Sequence, residues 1–313
     1  MFKVKLNFFD EYKIILIVLV FLSCLPFFMS TSLATEILIF GLFTSGFNIL
    51  LGYTGILSFG HAAYFGLGAY TAGFVLKNCF GSVWLALFGS LVVSAIMGII
   101  LGFLCIKRKG VYFAMLSAAF ANMFYFLALS PFKDITGGED GLKEIPILML
   151  QFPFRLSLSK PLNVYYFVFV LFVISIFVIW KIIHSPFGKV LKGIRENEER
   201  MKACGYNIKN IKIVSLVLSA LFSGLAGGLY TIYLDYVPLR TFQWLTSGRV
   251  VAMALLGGTD TFIGPLVGAG IFLFIENTVS IVTARWEIFV GALIVLVILF
   301  SPGGVTGIFK KKN

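Results

Sequence analysis

The chain has 313 residues, 59% of them hydrophobic and only 12% charged, with a mean hydropathy of +0.98. This excludes a soluble globular protein, which carries about a quarter of its residues charged. The net charge of +11 does not point to nucleic acid, because Lys and Arg fall in short clusters between apolar runs, as they do beside membrane spans.

Ten apolar runs lie near 14–30, 33–51, 57–76, 84–106, 111–130, 163–183, 213–234, 246–258, 263–283 and 287–300. Each predicts a helix, since open strands leave backbone groups unpaired in lipid. The expected fold is an all-α polytopic membrane protein of about ten transmembrane helices, one domain over 1–313. Residues Lys3 to Met29 share the charged-then-apolar order of a signal peptide, with Ser32-Leu33-Ala34 as a passable cleavage site. A retained first span is expected, because more spans follow at once and the topology then closes. With residues 1–13 inside and sides alternating, 17 of the 25 Lys and Arg fall inside and 7 outside, with Arg249 left in a span. That bias puts both termini in the cytoplasm. Trp84, Trp180, Trp244 and Trp286 sit at span ends, as in an aromatic belt.

The stretch from Gly52 to Tyr70 carries glycine at 52, 55, 60, 66 and 68. Such density is costly for a plain helix. In a membrane it permits close helix crossing or a broken helix lining a pathway. Gly52, Tyr53, Gly55, Ser58, Gly60, His61 and Gly66 are therefore candidates for the path or its gate, against the alternative of a tightly packed helix. A lone His61 suits packing or hydrogen bonding better than a proton relay. The pairs Gly98–Gly102, Gly224–Gly228 and Gly264–Gly268 read as packing motifs.

Two loops stand out. The outer one, 131–162, is turn-rich around Thr136 to Leu142. The inner one, 184–212, opens with Ser185-Pro186, an N-cap and a first-turn proline. Phe187, Val190, Leu191 and Ile194 then form one apolar stripe, with Lys189, Lys192, Arg195, Glu196, Glu198, Glu199 and Arg200 on the other faces and Gly205 ending the stretch. This helix is too short to span, so it is expected to lie on the membrane or dock in a partner's groove. The interleaved acids favour a protein partner.

Glu276 is an intramembrane acid and so a functional candidate, unless it pairs with Arg249; Glu36 opens the second span. Cys24, Cys79, Cys105 and Cys204 show no CxxC spacing, so no metal site or disulfide framework is expected, and they read as small buried hydrophobes. Leu50-Leu51-Gly52 and Leu255-Leu256-Gly257 each precede a glycine-containing turn, which leaves an internal repeat open. The chain has no GxxxxGK[ST], HExxH or GxSxG motif, so neither nucleotide binding of that type nor intramembrane hydrolysis is legible.

The run from Leu51-Gly52-Tyr53-Thr54-Gly55 to Tyr70-Thr71-Ala72 resembles the signature of the LivM-like branched-chain amino acid ABC transporter permease family. So do Ser185-Pro186-Phe187-Gly188 through Glu198 to Cys204-Gly205-Tyr206, Ser219-Ala220 through Tyr230, Gly257-Gly258, Gly264-Pro265 and Phe300-Ser301-Pro302-Gly303-Gly304. The resemblance implies a type II ABC importer fold in the bacterial inner membrane, with a second homologous permease, two cytoplasmic ATP-binding subunits and a periplasmic substrate-binding protein. It implies that ATP and Mg are bound by the partner ATPases, with no cofactor in this chain. It implies that Ser185, Pro186, Phe187, Val190, Leu191, Ile194, Arg195, Glu196 and Gly205 belong to the ATPase coupling segment. The expected cargo is Leu, Ile or Val. Urea, short amides or other amino acids remain alternatives, because Glu139 and Gly258-Thr259-Asp260-Thr261 depart from the family's usual residues. An ion-coupled secondary carrier and a scaffold that moves nothing are alternatives of other classes.

Overall fold

The structure, a computed structural model, describes residues 18–78, 82–143, 145–146, 149–150, 156–283, 285–301 and 303–310. The expectations about residues 1–17, Cys79, Pro302 and 311–313 lie outside it. Each apolar run holds a helix: α1 (Val18–Phe28), α2 (Thr31–Asn48), α3 (His61–Asn78), α4 (Val83–Cys105), α5 (Val111–Leu129) and α6 (Pro161–His184) in the first part. After them come two short helices, α7 (Pro186–Glu196) and α8 (Glu198–Ala203), then α9 (Ile208–Leu234), α10 (Trp244–Gly257), α11 (Gly264–Val282), α12 (Trp286–Phe300) and α13 (Gly304–Lys310). Six are long and apolar enough to cross a membrane by length and composition. They are α2 with its π-turn extension to Tyr53, α4, α5, α6, α9 and α11. Strand pairing is confined, among the described residues, to Met149–Leu150 against Leu156–Ser157 and the Leu142–Val237 bridge.

The centre of the bundle is α2 and α9, which are 94% and 78% buried over their apolar windows, while α4, α5, α6 and α11 form the rim at 28–39%. Lipid gives helices no hydrophobic reason to associate, so contact depends on close approach and interhelical hydrogen bonds. Both are present where α9 crosses α3 and α4. A Cβ on Gly224 would overlap the Ser94 hydroxyl, one on Gly227 the Phe65 carbonyl, and one on Gly68 the backbone of Gly224. Ser90 Oγ donates to the Gly68 carbonyl at 2.7 Å, Ser94 Oγ to Tyr64 at 3.2 Å, and Thr231 Oγ1 to Ala69 at 2.9 Å. A second crossing of the same kind joins α10 to α11, where Gly257 meets Gly264 and Gly268 meets the Met253 carbonyl.

Three expectations need correction, and the outer loop adds a finding. The span read at 57–76 starts its helix only at His61; residues 55–60 are irregular, because Gly55 takes φ +78° and leaves the helix. Trp180 sits at a helix end, but its side chain is 8% exposed and its ring lies 4.7 Å from that of His184, so it packs inside rather than joining a belt. Cys105 is buried, whereas Cys24 and Cys204 are exposed and are not core residues. The outer loop is also less free than its turn content suggests. It folds into one helical turn (Lys133–Thr136) and is stitched across by Leu142 N–H to the Val237 carbonyl (3.0 Å) and Val237 N–H back to Leu142 (2.9 Å).

Candidate functional site

The loop after α6 is built as the spacing predicts at its start. Ser185 Oγ accepts from Gly188 N–H at 3.4 Å, and Pro186 occupies the first turn, where its missing N–H costs nothing. Gly188 has to be glycine, since a Cβ there would overlap the Ile183 carbonyl in the turn between α6 and α7. The middle differs from expectation. Helix α7 stops at Asn197, whose extended backbone breaks the run and whose Oδ1 caps α8 through Arg200 N–H at 2.9 Å. Gly205, at φ +86°, follows α8 and ends the helical stretch.

The apolar stripe of α7 is not available to a partner's groove. Leu191 and Ile194 are buried in the chain's own core, and Phe187 packs half-buried against it. The stripe anchors α7 to the bundle. What faces outward is the charged side, with Lys189, Lys192, Arg195, Glu196, Glu199 and Arg200 exposed. The sequence gives the two faces but not which one is already occupied.

Three elements meet at α7. The last turn of α2 widens into a π-turn, Ile49–Tyr53, of the sort often found at functional sites. Arg195 Nη1 donates to the Gly52 carbonyl there and pairs with Asp260 Oδ1 at 2.7 Å, in the turn between α10 and α11. Lys192 Nζ stands 5.3 Å over the Tyr53 ring. The two turns also touch directly, through Asn48 Nδ2 donating to the Thr259 carbonyl at 3.2 Å. Gly52 and Gly257, the two positions of the suggested repeat, thus both close helices that meet beneath α7. Nearby, Glu198 joins Lys212 (2.9 Å) and Lys109 (3.3 Å). Burial alone would raise the Glu198 carboxyl, but its hydrogen bonds to the two ammonium groups and their charge hold it below the usual carboxylate range.

A cavity of about 740 Å³ opens beside this junction. Thr54, Gly55, Ile56, Leu57 and Phe59 line one wall, Val111, Phe113, Ala114 and Met115 another, and Arg195 to Glu198 the lip, with Trp244 also in contact. The seven proposed path residues do not gather there. Gly55 lines the cavity, while Gly52 and Tyr53 lie under α7. Ser58 is buried, its hydroxyl accepting from Gly60 N–H at 3.2 Å, and Gly60 abuts Ser117 of α5. His61 is wholly buried, its Nε2 2.7 Å from Ser219 Oγ and its ring edge-on to Phe47 and Tyr64. Gly66 makes room for the Phe242 ring. Glu276 is paired with Arg249, whose guanidinium also lies over the rings of Phe40 and Phe272. Asp260, Asn48 and the lysine partners of Glu198 were not singled out as site residues. Asp260 was visible only as an acid in a departing turn, and Asn48 only as an amide inside an apolar run.

Residues 29–298 match the family described as branched-chain amino acid transport system, permease component. The chain belongs to this family. Among its relatives, the high-affinity branched-chain amino acid transport permease LivM of Salmonella typhimurium is 27% identical over 88% of this chain and 69% of that protein. LivM of Escherichia coli is 26% identical over 94% and 74%. The autoinducer 2 import permease LsrC of Photorhabdus laumondii is 25% identical over 56% and 52%. No solved structure matches the chain. As a member of this family the protein is a permease component of a transport system, and its long apolar helices fit a multi-pass membrane protein.

Proposed function

We propose that this chain is one half of the translocation unit of an ATP-driven importer of branched-chain amino acids in the bacterial inner membrane. In this reading all 313 residues form one domain with ten spans and both termini in the cytoplasm. A second homologous permease completes the path, two ATP-binding subunits hold ATP and Mg, and a periplasmic protein delivers Leu, Ile or Val. The observation that carries it is α7, an N-capped helix whose apolar stripe fixes it to its own bundle and whose charged face is left exposed. A chain with no phosphate loop of its own needs such a surface to receive work.

The exposed face on the side of Lys189 is the contact for the ATPase, whereas Arg195 is turned onto Gly52 and Asp260 of its own chain. With Lys189→Cys in the assembled complex, cross-linking captures an ATP-binding subunit; capture of lipid alone would sink the assignment. The ion-coupled alternative has little support, because its intramembrane acid Glu276 is held by Arg249. Purified chain in liposomes under a proton or sodium gradient should take up no leucine. The likeness to autoinducer 2 permeases keeps the cargo a separate question from the machinery. Binding of a panel of amino acids, urea and short amides to the cognate periplasmic protein decides it, with Leu, Ile and Val expected to bind tightest.

A further inference from the structure

Resting on the assignment of α7 as the coupling helix, we infer that Arg195 is the positioning residue that carries a displacement of α7 into the two turns beneath it and the cavity they border. Its guanidinium reaches two separate elements at once. Nη1 donates to the Gly52 carbonyl in the π-turn of α2 and pairs with Asp260 Oδ1 at 2.7 Å in the α10–α11 turn. The carbonyls of a helix's last turn have no partner within the helix, and a cation there also meets the negative end of the helix dipole. Arg195 therefore caps α2 from outside it. Its stem lies against Gly55, where a Cβ would stand 3.0 Å from Arg195 Cγ.

Both attachment points lead to the cavity. From Gly52 the chain runs directly into Thr54, Gly55, Ile56, Leu57 and Phe59, which form one wall; from Asp260 the turn leads back into α10, whose first residue, Trp244, also touches the cavity. The two turns are tied to each other by Asn48 Nδ2 and the Thr259 carbonyl at 3.2 Å. The Arg195 and Asp260 side chains are 39% and 57% exposed. An ion pair that open adds little to stability. Its removal should leave the bundle folded, cut α7 from the Asp260 turn and leave Lys192 over Tyr53 as a link to the π-turn.

The test uses the complete importer in liposomes, measuring cargo moved per ATP hydrolysed beside basal ATPase activity. Arg195→Gln should assemble and keep basal hydrolysis, while cargo per ATP falls by about tenfold, within the usual span of coupling between sites. Arg195→Lys, which keeps a single charged nitrogen able to meet both partners but on a shorter reach, should recover part of that ratio, and Asp260→Asn should lower it by less than Arg195→Gln does. A wild-type ratio in Arg195→Gln overturns the inference, as does an equal fall in hydrolysis and transport. If Arg195→Gln does not assemble, Asp260→Asn decides: an unchanged ratio there overturns it. Failure of the assignment beneath it reads differently, as loss of the Lys189→Cys cross-link to the ATPase in an otherwise wild-type complex.

Discussion

Two regions of this bundle are rich in glycine and use it for different ends. At the crossing of α9 with α3 and α4, Gly68, Gly224 and Gly227 do not adopt positive φ; what counts is the absent Cβ, which lets backbone touch backbone. Between residues 52 and 60, Gly52 and Gly60 are again tight contacts, but at Gly55 the backbone itself is what counts. Gly55 turns out of the helix at φ +78°, and the freed polar groups are taken up one by one. Ser117 Oγ accepts from Phe59 N–H (3.0 Å), Ser247 Oγ from Ala62 N–H (2.8 Å), and Arg195 donates to the Gly52 carbonyl. Irregular backbone in a spanning protein survives only with such partners. Glycine at helical spacing therefore marks contact, and glycine where a helix ends beside charged residues marks a working break.

The largest effect should come from the contact class. Gly224→Leu pushes a branched side chain into Ser94 and the backbone of Ser90, with no flexible neighbour to yield. Overpacking of this kind costs about 3 kcal/mol or more, and no monodisperse protein should elute from size exclusion. Gly248→Leu, with open space around it, should elute as wild type; equal behaviour of the two would break the distinction. Next comes the Arg249–Glu276 pair, which ties α10 to α11 beyond their glycine crossing. Glu276→Gln leaves a cation without its partner and should cost about 3 kcal/mol, the lower end for a buried pair, since both groups are partly exposed. Arg249→Met with Glu276→Met should regain most of the lost thermal stability. If the double variant is as unstable as the single one, the pair is not what holds those helices.

The break should respond more mildly in stability and more sharply in transport. Gly55→Ala places a Cβ at positive φ, a strain of about 1–2 kcal/mol, and sets it 3.0 Å from Arg195 Cγ. The complex should still assemble, with transport reduced severalfold. Gly55→Asn, which tolerates this conformation better, should transport more than Gly55→Ala. The reverse order would show that space against Arg195, and not backbone angle, sets the requirement.

Apolar run length made the helix in each of the ten apolar runs legible, and the Ser185-Pro186 start of α7 could be read from local chemistry, whereas the short α8 and α13 follow no apolar run. The sequence could not say that Leu191 and Ile194 were already spoken for, because a stripe looks the same whether it meets its own bundle or another protein. Nor could it separate His61 and Gly66 from Gly52 and Gly55. The four share one glycine-rich run, yet a helix break sends Gly52 and Gly55 under α7 and leaves His61 and Gly66 in the packed interior. Asp260 escaped because its partner is 65 positions away in sequence, and pairing over that distance depends on the fold.

The smallest effect is a pH response confined to the loop that carries α7. Glu198 sits between Lys212, whose side chain is only 11% exposed, and Lys109, which is 68% exposed. Its folded pKa is held below the unfolded value of about 4.3, so its contribution is complete above that pH and disappears as pH falls through the lowered folded value. Between pH 8 and 6 nothing should change. Below about pH 4 the Lys212 ammonium loses its counterion in a confined site, and amide exchange across residues 198–212, corrected for intrinsic rate, should rise. Glu198→Gln should show that raised exchange already at pH 7 and little further response on acidification. Exposure of Glu198 limits the gain to a local opening, so the helices of the bundle should keep their protection throughout. A rise that sets in near pH 6 would assign the response to a different group and remove Glu198 as the residue holding this loop closed.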